Sequence, residues 1–359
     1  MRLERLEVVP YRLPFREPYL TVRGELRDRE LLLVRLHADG IEGLGETAAL
    51  SLRGGRSLAE IASELDRLCW PALLETPFEP DRVWAAVARC RERRVSAEAL
   101  AALDIALHDL AAKAKGVPVW GLLGAERAEP VRCNATVPAA NPTRFRALIE
   151  RWAGDGFRTF KLKAGLPGDI AQVATTRSIL GPEARIRIDA NGAWTVDEAA
   201  ERLRLMARET LELAEEPVSG LRALAELRRR TRIPLAADES ITSLRDAREA
   251  GELGACSLAT VKLAKVGGIA AALEIARELP IYLSSALEGP VGIAAAAHAI
   301  QALPSRGAAA ELAHGLATER LFSTSIGAGA VAEGDRLVLS DAPGLGVELD
   351  EAALSANAL

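Results

Sequence analysis

Five charged residues recur along the second half of this chain at nearly constant intervals. Asp189 follows Lys163 after 26 residues, Glu215 follows after another 26, Asp238 after 23 and Lys262 after 24. Each stands at the end of a short apolar run with strand character, and one strand–helix unit of a parallel barrel has about this length. Side chains repeated at that interval reach one rim, the one formed by the C-terminal ends of the strands. Asp189, Glu215 and Asp238 thus bring three carboxylates together from successive strands. Such a group repels itself unless a cation sits within it. Oxygen donors without His or Cys select Mg²⁺, with Mn²⁺ as the alternative, over zinc. Taken singly, each acid reads better as a helix N-cap or an ion pair; the shared phase is what favours metal ligation.

The lysines supply the other half of the chemistry. In Thr159-Phe160-Lys161-Leu162-Lys163 the apolar and polar residues alternate, so both lysines share one face of a strand. Mutual repulsion and burial both oppose their charge, which predicts lowered pKa values and a general base near neutral pH. Lys262 is expected across the barrel mouth with the metal between. A divalent ion on a substrate carboxylate would stabilise the enediolate formed when an α-proton leaves, with a lysine on either face as base or as cation. Lys161 is expected closer to the metal-bound carboxylate, and Asn191 points the same way as Asp189. Glu216 and Glu239 adjoin the ligands, and strand parity leaves open whether Glu215 or Glu216 binds the ion. Lys265 reads as an outward loop lysine.

The elements that must position these groups follow from periodicity. Strands are predicted at Leu3–Tyr11, Glu30–His37 and Ile41–Thr47, with Asp39-Gly40 as a hairpin turn. Residues 57–115 turn helical, with Ile61, Leu65 and Leu68 on one stripe. The segments 15–25 and 48–56 read as irregular loops. From residue 130 strands alternate with helices: Val131–Ala135, Thr159–Lys163, Arg185–Ala190, Leu211–Glu215, Ile233–Ala237, Ser257–Lys262, Pro280–Ser285 and Ala308–Glu311. Asn141-Pro142 and Thr195-Val196-Asp197-Glu198 are helix starts. Eight such strands fit a closed barrel. An open doubly wound sheet is the alternative, but its glycine-rich nucleotide fingerprints are missing. The expected division is an α+β cap over 1–125, a barrel over 126–320 and a tail over 321–359 that packs back on the cap.

Composition narrows the partners. With 45 basic and 50 acidic residues the net charge is −5, which disfavours a nucleic-acid polyanion. Cys69, Cys90, Cys133 and Cys256 form no CxxC pair and read as core residues of a reducing compartment. The longest apolar stretch, Val291–Leu303, is too short for a membrane span and contains His298 and Gln301. A cytoplasmic homo-oligomer acting on a small-molecule carboxylate, with no membrane or nucleic-acid partner, is expected.

Taken together, the Lys-x-Lys strand, Ile188-Asp189-Ala190-Asn191, Glu215-Glu216-Pro217, Asp238-Glu239-Ser240 and Val261–Gly268 resemble the enolase superfamily in its muconate lactonising subgroup. Gly43-Leu44-Gly45-Glu46 looks like its cap signature. Leu103–Leu110, with Pro118 and Leu122-Leu123-Gly124, looks like its junction between cap and barrel. The resemblance covers nearly the whole chain. It implies a (β/α)7β TIM-like barrel with an N-terminal α+β cap completed by the C-terminal segment, and cap loops 15–25 and 48–56 that close over substrate. It also implies Glu215 as the ligand and Lys163 as the base, returning as acid, with Lys262 stabilising the enediolate. Ser284, Ser285 and Glu288 would line the distal pocket, with Arg53 and Arg23 as cap-loop candidates. The subgroup includes o-succinylbenzoate synthase, N-acylamino acid racemase, dipeptide epimerase and muconate cycloisomerase. Ser284–Glu288, Asn134–Pro138 and Glu311–Leu316 look most like the synthase, a dehydratase of menaquinone biosynthesis. Leu287-Glu288-Gly289 with Ala297-His298 also resembles the cycloisomerases. Glu288-Gly289-Pro290 stands where dipeptide epimerases tend to carry an Asp-x-Asp pair. A non-catalytic metal-binding barrel, the remaining reading, would not need two opposed lysines.

Overall fold

The computed structural model describes residues 1–22, 24–50, 54–304 and 311–359. The chain opens on an antiparallel sheet of β1 (Leu3–Thr21), β2 (Gly24–Ala38) and β3 (Ile41–Ala48). The segment expected to loop from residue 15 is strand as far as Thr21, because Leu13, Phe15 and Tyr19 are all buried and β1 pairs with β2 up to Thr21 and Gly24. Asp39 and Gly40 join β2 to β3 with φ of 50° and 76°, the left-handed pair whose twist matches a two-residue hairpin.

Helices α1 (Leu58–Glu64), α2 (Trp70–Leu74), α3 (Val83–Glu92), α4 (Ala97–Lys115) and the short α5 (Val119–Leu122) follow. Ser96 caps the start of α4, and left-handed Gly116 ends it. β3 lies directly on α4. A Cβ on Gly45 would sit 1.9 Å from the Ala102 carbonyl oxygen and one on Gly43 would sit 2.4 Å from that of Ala106. The Gly-Leu-Gly run is therefore dictated by backbone contact.

β4 (Val131–Arg132) leads into seven parallel strands: β5 (Ala135–Val137), β6 (Thr159–Lys163), β7 (Arg185–Asp189), β8 (Leu211–Glu215), β9 (Leu235–Ala237), β10 (Leu258–Val261) and β11 (Ile281–Leu283). The helices packed around them are α6 (Pro142–Gly154), α7 (Asp169–Leu180), α8 (Val196–Met206), α9 (Leu221–Arg228), α10 (Leu244–Leu253), α11 (Leu263–Val266), α12 (Ile269–Glu278) and α13 (Pro290–Ile300). The sheet curls, and a short segment joins its edges: His314 bridges to Cys133 and Gly315 to Ser284. Residues 308–310 of the eighth predicted strand lie outside the described residues, and the joining contacts fall at 314–315. The predicted strand Val131–Ala135 is two strands. β4 leaves the barrel to pair with a later hairpin strand, and only β5 joins the parallel sheet.

The tail forms β12 (Gly327–Ala328), β13 (Val331–Glu333), β14 (Arg336–Val338), β15 (Glu348–Leu349) and α14 (Glu351–Ala356). It returns to the N-terminal sheet, where Ala358 bridges to Tyr11 and Arg35 pairs with Glu351 at 2.6 Å. α4 holds the parts together through two buried acids. Asp104 accepts from the Ile269 N–H, and Asp109 accepts from Leu44 and Leu345 N–H at 2.7 Å each. Among the described residues no helix is long and apolar enough to cross a membrane, and all four cysteines are free and buried.

Candidate active site

Parallel pairing aligns the strand ends. Lys163 is level with Asp189, and Asp189 with Glu215. Asp189, Glu215 and Asp238 are fully buried, and one oxygen from each lies within 4.8 Å of the others. Oxygen-only donors at that spacing, from three adjacent strands, fit a hard divalent cation. Glu216 is turned elsewhere: its carboxylate accepts from the Asp238 N–H at 2.6 Å and from the Ser240 hydroxyl. Parity did not separate Glu215 from Glu216; the geometry puts Glu215 in the triad.

Around the triad stand four buried lysines. Lys161 donates to Glu215 at 2.7 Å and lies 3.0 Å from Asp189. Lys163 donates to Asp189 at 2.6 Å and to the Asn191 side-chain oxygen at 3.0 Å. The Asn191 amide in turn donates to Glu239 at 2.9 Å. Lys262 pairs with Asp238. β6 and β10, the strands behind Lys163 and Lys262, are four places apart in the ring, so the two ammonium groups approach from opposite sides. Lys265, expected to face outward, is buried instead. One helical turn beyond Lys262, it folds back to donate to Asp238 at 2.7 Å and to the Thr260 carbonyl at 3.1 Å.

The charges shift one another. Burial works against the Lys161 ammonium, but Asp189 and Glu215 outweigh it and hold its pKa well above the ordinary lysine value. At Lys161 this reverses the expected lowering, because lysine–carboxylate attraction exceeds lysine–lysine repulsion there. Burial pushes Asp189 up, yet Lys161 and Lys163 pull it below the usual carboxylate range. Glu215 stays raised, first by burial and then by Asp189. Burial also lifts Glu216, to about 7.

A cavity open to solvent lies over these groups. Lys161, Lys163, Asn191, Lys262, Ser284 and Ser285 line it. Glu288, expected on the wall, is turned into its own loop, where its carboxylate accepts from the Ser285 hydroxyl at 2.7 Å and from the Ala286 N–H. Arg23 and Arg53 lie outside the described residues. Of the rest of the wall, Tyr19, Thr21 and Leu50 come from the two cap segments expected to close over substrate, and Thr136 and Leu287 from Asn134–Pro138 and Ser284–Glu288, whereas Leu26, Arg29 and Thr318 fall outside every stretch singled out in the sequence. Arg29 donates to the Ala286 carbonyl at 3.1 Å, joining β2 to that loop. A signal for it existed, since the alternation of β2 puts Arg29 on the same face as buried Leu31 and Leu33. No acidic residue is among the described residues that line the cavity.

Comparison with known proteins agrees with this geometry. Residues 5–124 match the mandelate racemase / muconate lactonizing enzyme N-terminal domain, and residues 144–353 match the enolase C-terminal domain-like family. The o-succinylbenzoate synthase of Thermobifida fusca is 40% identical over 205 residues, which is 55% of this chain and 62% of that protein. The match thus spans less than two thirds of that relative's length. The L-Ala-D/L-Glu epimerase of Clostridium acetobutylicum is 30% identical over 349 residues, 94% of this chain and 96% of that one. Among solved structures, muconate lactonizing enzyme from Pseudomonas fluorescens complexed with muconolactone superimposes with a TM-score of 0.92 at 30% identity, covering 99% of each chain.

Proposed function

The chain belongs to the mandelate racemase / muconate lactonizing enzyme family of the enolase superfamily, and from that premise we propose that it dehydrates a cyclic β-hydroxy carboxylate in the manner of o-succinylbenzoate synthase. Asp189, Glu215 and Asp238 hold the cation, and their all-oxygen donor set favours Mg²⁺. When bound, that ion supplies positive charge to the substrate carboxylate and loosens the hold of the three acids on the neighbouring ammonium groups.

The chain's own residues do the rest. Lys163 Nζ takes the α-proton, so that the C–H bond breaks, and Lys262 offers its ammonium to the charge that develops on the opposite face. Lys163 then returns that proton to the departing β-hydroxyl. The C–O bond breaks, a C=C bond forms and water leaves. Lys161 stays charged beside the carboxylate, in keeping with its raised pKa. The observation that carries the α-proton chemistry is the pair of lysines placed four strands apart, each on a different acid of the triad.

Racemisation uses the same pair, and the full-length likeness to an epimerase makes it the second reading. The wall favours the synthase. With Arg29 on the cavity and Glu288 turned away, the distal end suits a second carboxylate better than a substrate ammonium. The test is turnover with Mg²⁺ of the succinyl-hydroxycyclohexadiene carboxylate of the menaquinone route, beside muconate, N-succinyl amino acids and dipeptides. Loss of the cyclohexadiene absorbance should dominate. Deuterium exchange from solvent into a dipeptide α-carbon, with no dehydration, would replace this reading by the second.

A further inference from the structure

The triad does not rest directly on the barrel core. Beneath it, and outside every motif that points to the site, lies a second polar array built on Tyr282 of β11 and Arg187 of β7. Both side chains are fully buried inside the barrel. The Tyr282 hydroxyl donates to Glu215 Oε2, while the opposite oxygen, Oε1, accepts from Lys161. The Arg187 guanidinium lies 5.0 Å from the centre of the Tyr282 ring. Arg187 is itself fastened at two points, its Nε to the Glu212 carboxylate and its Nη1 to the Ala313 carbonyl at 2.7 Å. Ala313 belongs to the segment that joins the barrel edges. A continuous run therefore leads from Glu212 through Arg187 and the tyrosine ring to one oxygen of a triad acid.

We propose that Tyr282, braced by Arg187, is a positioning residue that fixes the Glu215 carboxylate for the divalent ion. This rests on the reading that the triad binds such an ion. The terminal torsion of a glutamate is broad, and Glu215 must be stopped from turning about it. Lys161 alone cannot do so, since it is shared with Asp189 and lies on one side only. A phenol hydroxyl donates a single hydrogen bond of defined direction. A cation over the ring fixes the plane of that phenol and draws electron density from it, which strengthens the hydroxyl as a donor. With Oε2 held by the tyrosine hydroxyl and Oε1 by Lys161, the carboxylate is fixed at both oxygens and each oxygen keeps a lone pair for an ion. Hydrogen bonds of this kind behind a ligand typically hold 10–100-fold of metal affinity. Neither Tyr282 nor Arg187 is among the residues that line the cavity or belongs to the triad, so their effect reaches the reaction through Glu215.

The experiment compares wild type with Tyr282→Phe, which deletes one oxygen, by calorimetric titration with Mg²⁺ and with Mn²⁺. Thermal melts of both proteins in EDTA and in saturating Mg²⁺ accompany it. Tyr282→Phe should raise the Kd for Mg²⁺ about 10–100-fold. It should shrink the melting shift on metal addition, and its turnover should recover toward wild type as Mg²⁺ is raised. An unchanged Kd in a folded variant, or an equal loss of melting temperature with and without metal, would overturn the inference. If Tyr282→Phe does not fold, Arg187→Gln is read in its place. It keeps the hydroxyl and removes the cation: a Kd raised about threefold or more upholds the inference, and no change overturns it. Wild type that binds neither ion would instead refute metal binding by the triad, a result distinguishable from the others.

Discussion

The rim between β6 and β10 and the wall beyond β11 face the same cavity but are built in opposite ways. On the rim, each acid of the triad has a cation within hydrogen-bond reach: Asp189 has Lys161 and Lys163, Glu215 has Lys161, and Asp238 has Lys262 and Lys265. The wall joins parts that are distant in sequence, as where Arg29 meets Ala286 across 257 residues. One is a dense, mutually neutralising charge array placed by strand register. The other is a patchwork in which a loop, a cap strand and a strained residue share the work. Under the proposed function, the rim would carry the proton chemistry and the wall the choice of substrate.

The largest effect should come from the rim. Lys163→Ala should lower kcat by about 10²–10⁴-fold or more, the range for a lost general acid–base group. Asp189 keeps Lys161 as a partner, so circular dichroism should report an intact fold. Activity within tenfold of wild type would remove Lys163 from the mechanism. On the wall, Arg29→Met should act mainly on binding. Loss of a charged hydrogen bond costs about 1.5–3 kcal/mol, or roughly 10–100-fold in KM, with a smaller change in kcat. A fall in kcat at constant KM would mean that Arg29 belongs functionally with the rim.

Acidity gives a finer contrast. Lysines pull Asp189 down, whereas burial lifts Glu319, beside Thr318 on the wall, to about 7. An acid raised in this way adds stability that is complete below its unfolded value, near 4.3, and is lost as pH rises through 7. Glu319→Gln should therefore gain stability relative to wild type as pH climbs from 4 to 8, read by urea unfolding at each pH. A difference that does not change with pH would place Glu319 in a more polar setting than its burial implies.

How far the sequence could be read follows the same division. Thr159–Lys163 and Leu211–Glu215 have the strand bounds predicted for them, because a parallel strand buried between helices shows its alternation and its charged end together. Lys265 departs from its outward reading because a helical turn after a strand end returns a side chain toward the site, and alternation does not register that turn. Glu288 departs from its expected place on the wall for a related reason. Ser285 and Glu288 lock their own loop, since the Ser285 hydroxyl accepts from the Leu287 and Glu288 N–H groups at 2.7 and 3.1 Å. Composition alone cannot tell a polar residue that serves its own backbone from one that serves a ligand. At Lys161 the expected lowering fails on magnitude, because the attraction of Asp189 and Glu215 exceeds the like-charge repulsion.

The smallest effect is the most specific to the wall. Between Ser285 and Glu288, Leu287 has φ of 67°, a left-handed conformation that costs a branched residue about 1–2 kcal/mol. Its side chain lines the cavity. Strain retained at a pocket suggests that the position is held for function, and two substitutions divide strain from packing. Leu287→Ala and Leu287→Gly remove nearly the same contacts, but only glycine relieves the backbone. Glycine should therefore be the more stable by about 1 kcal/mol, the reverse of its usual standing against alanine. Both variants should raise KM by a similar few-fold, because both open the same wall. If alanine proves as stable as glycine, Leu287 carries no strain worth relieving; if KM is unchanged in both, that stretch of wall does not touch substrate.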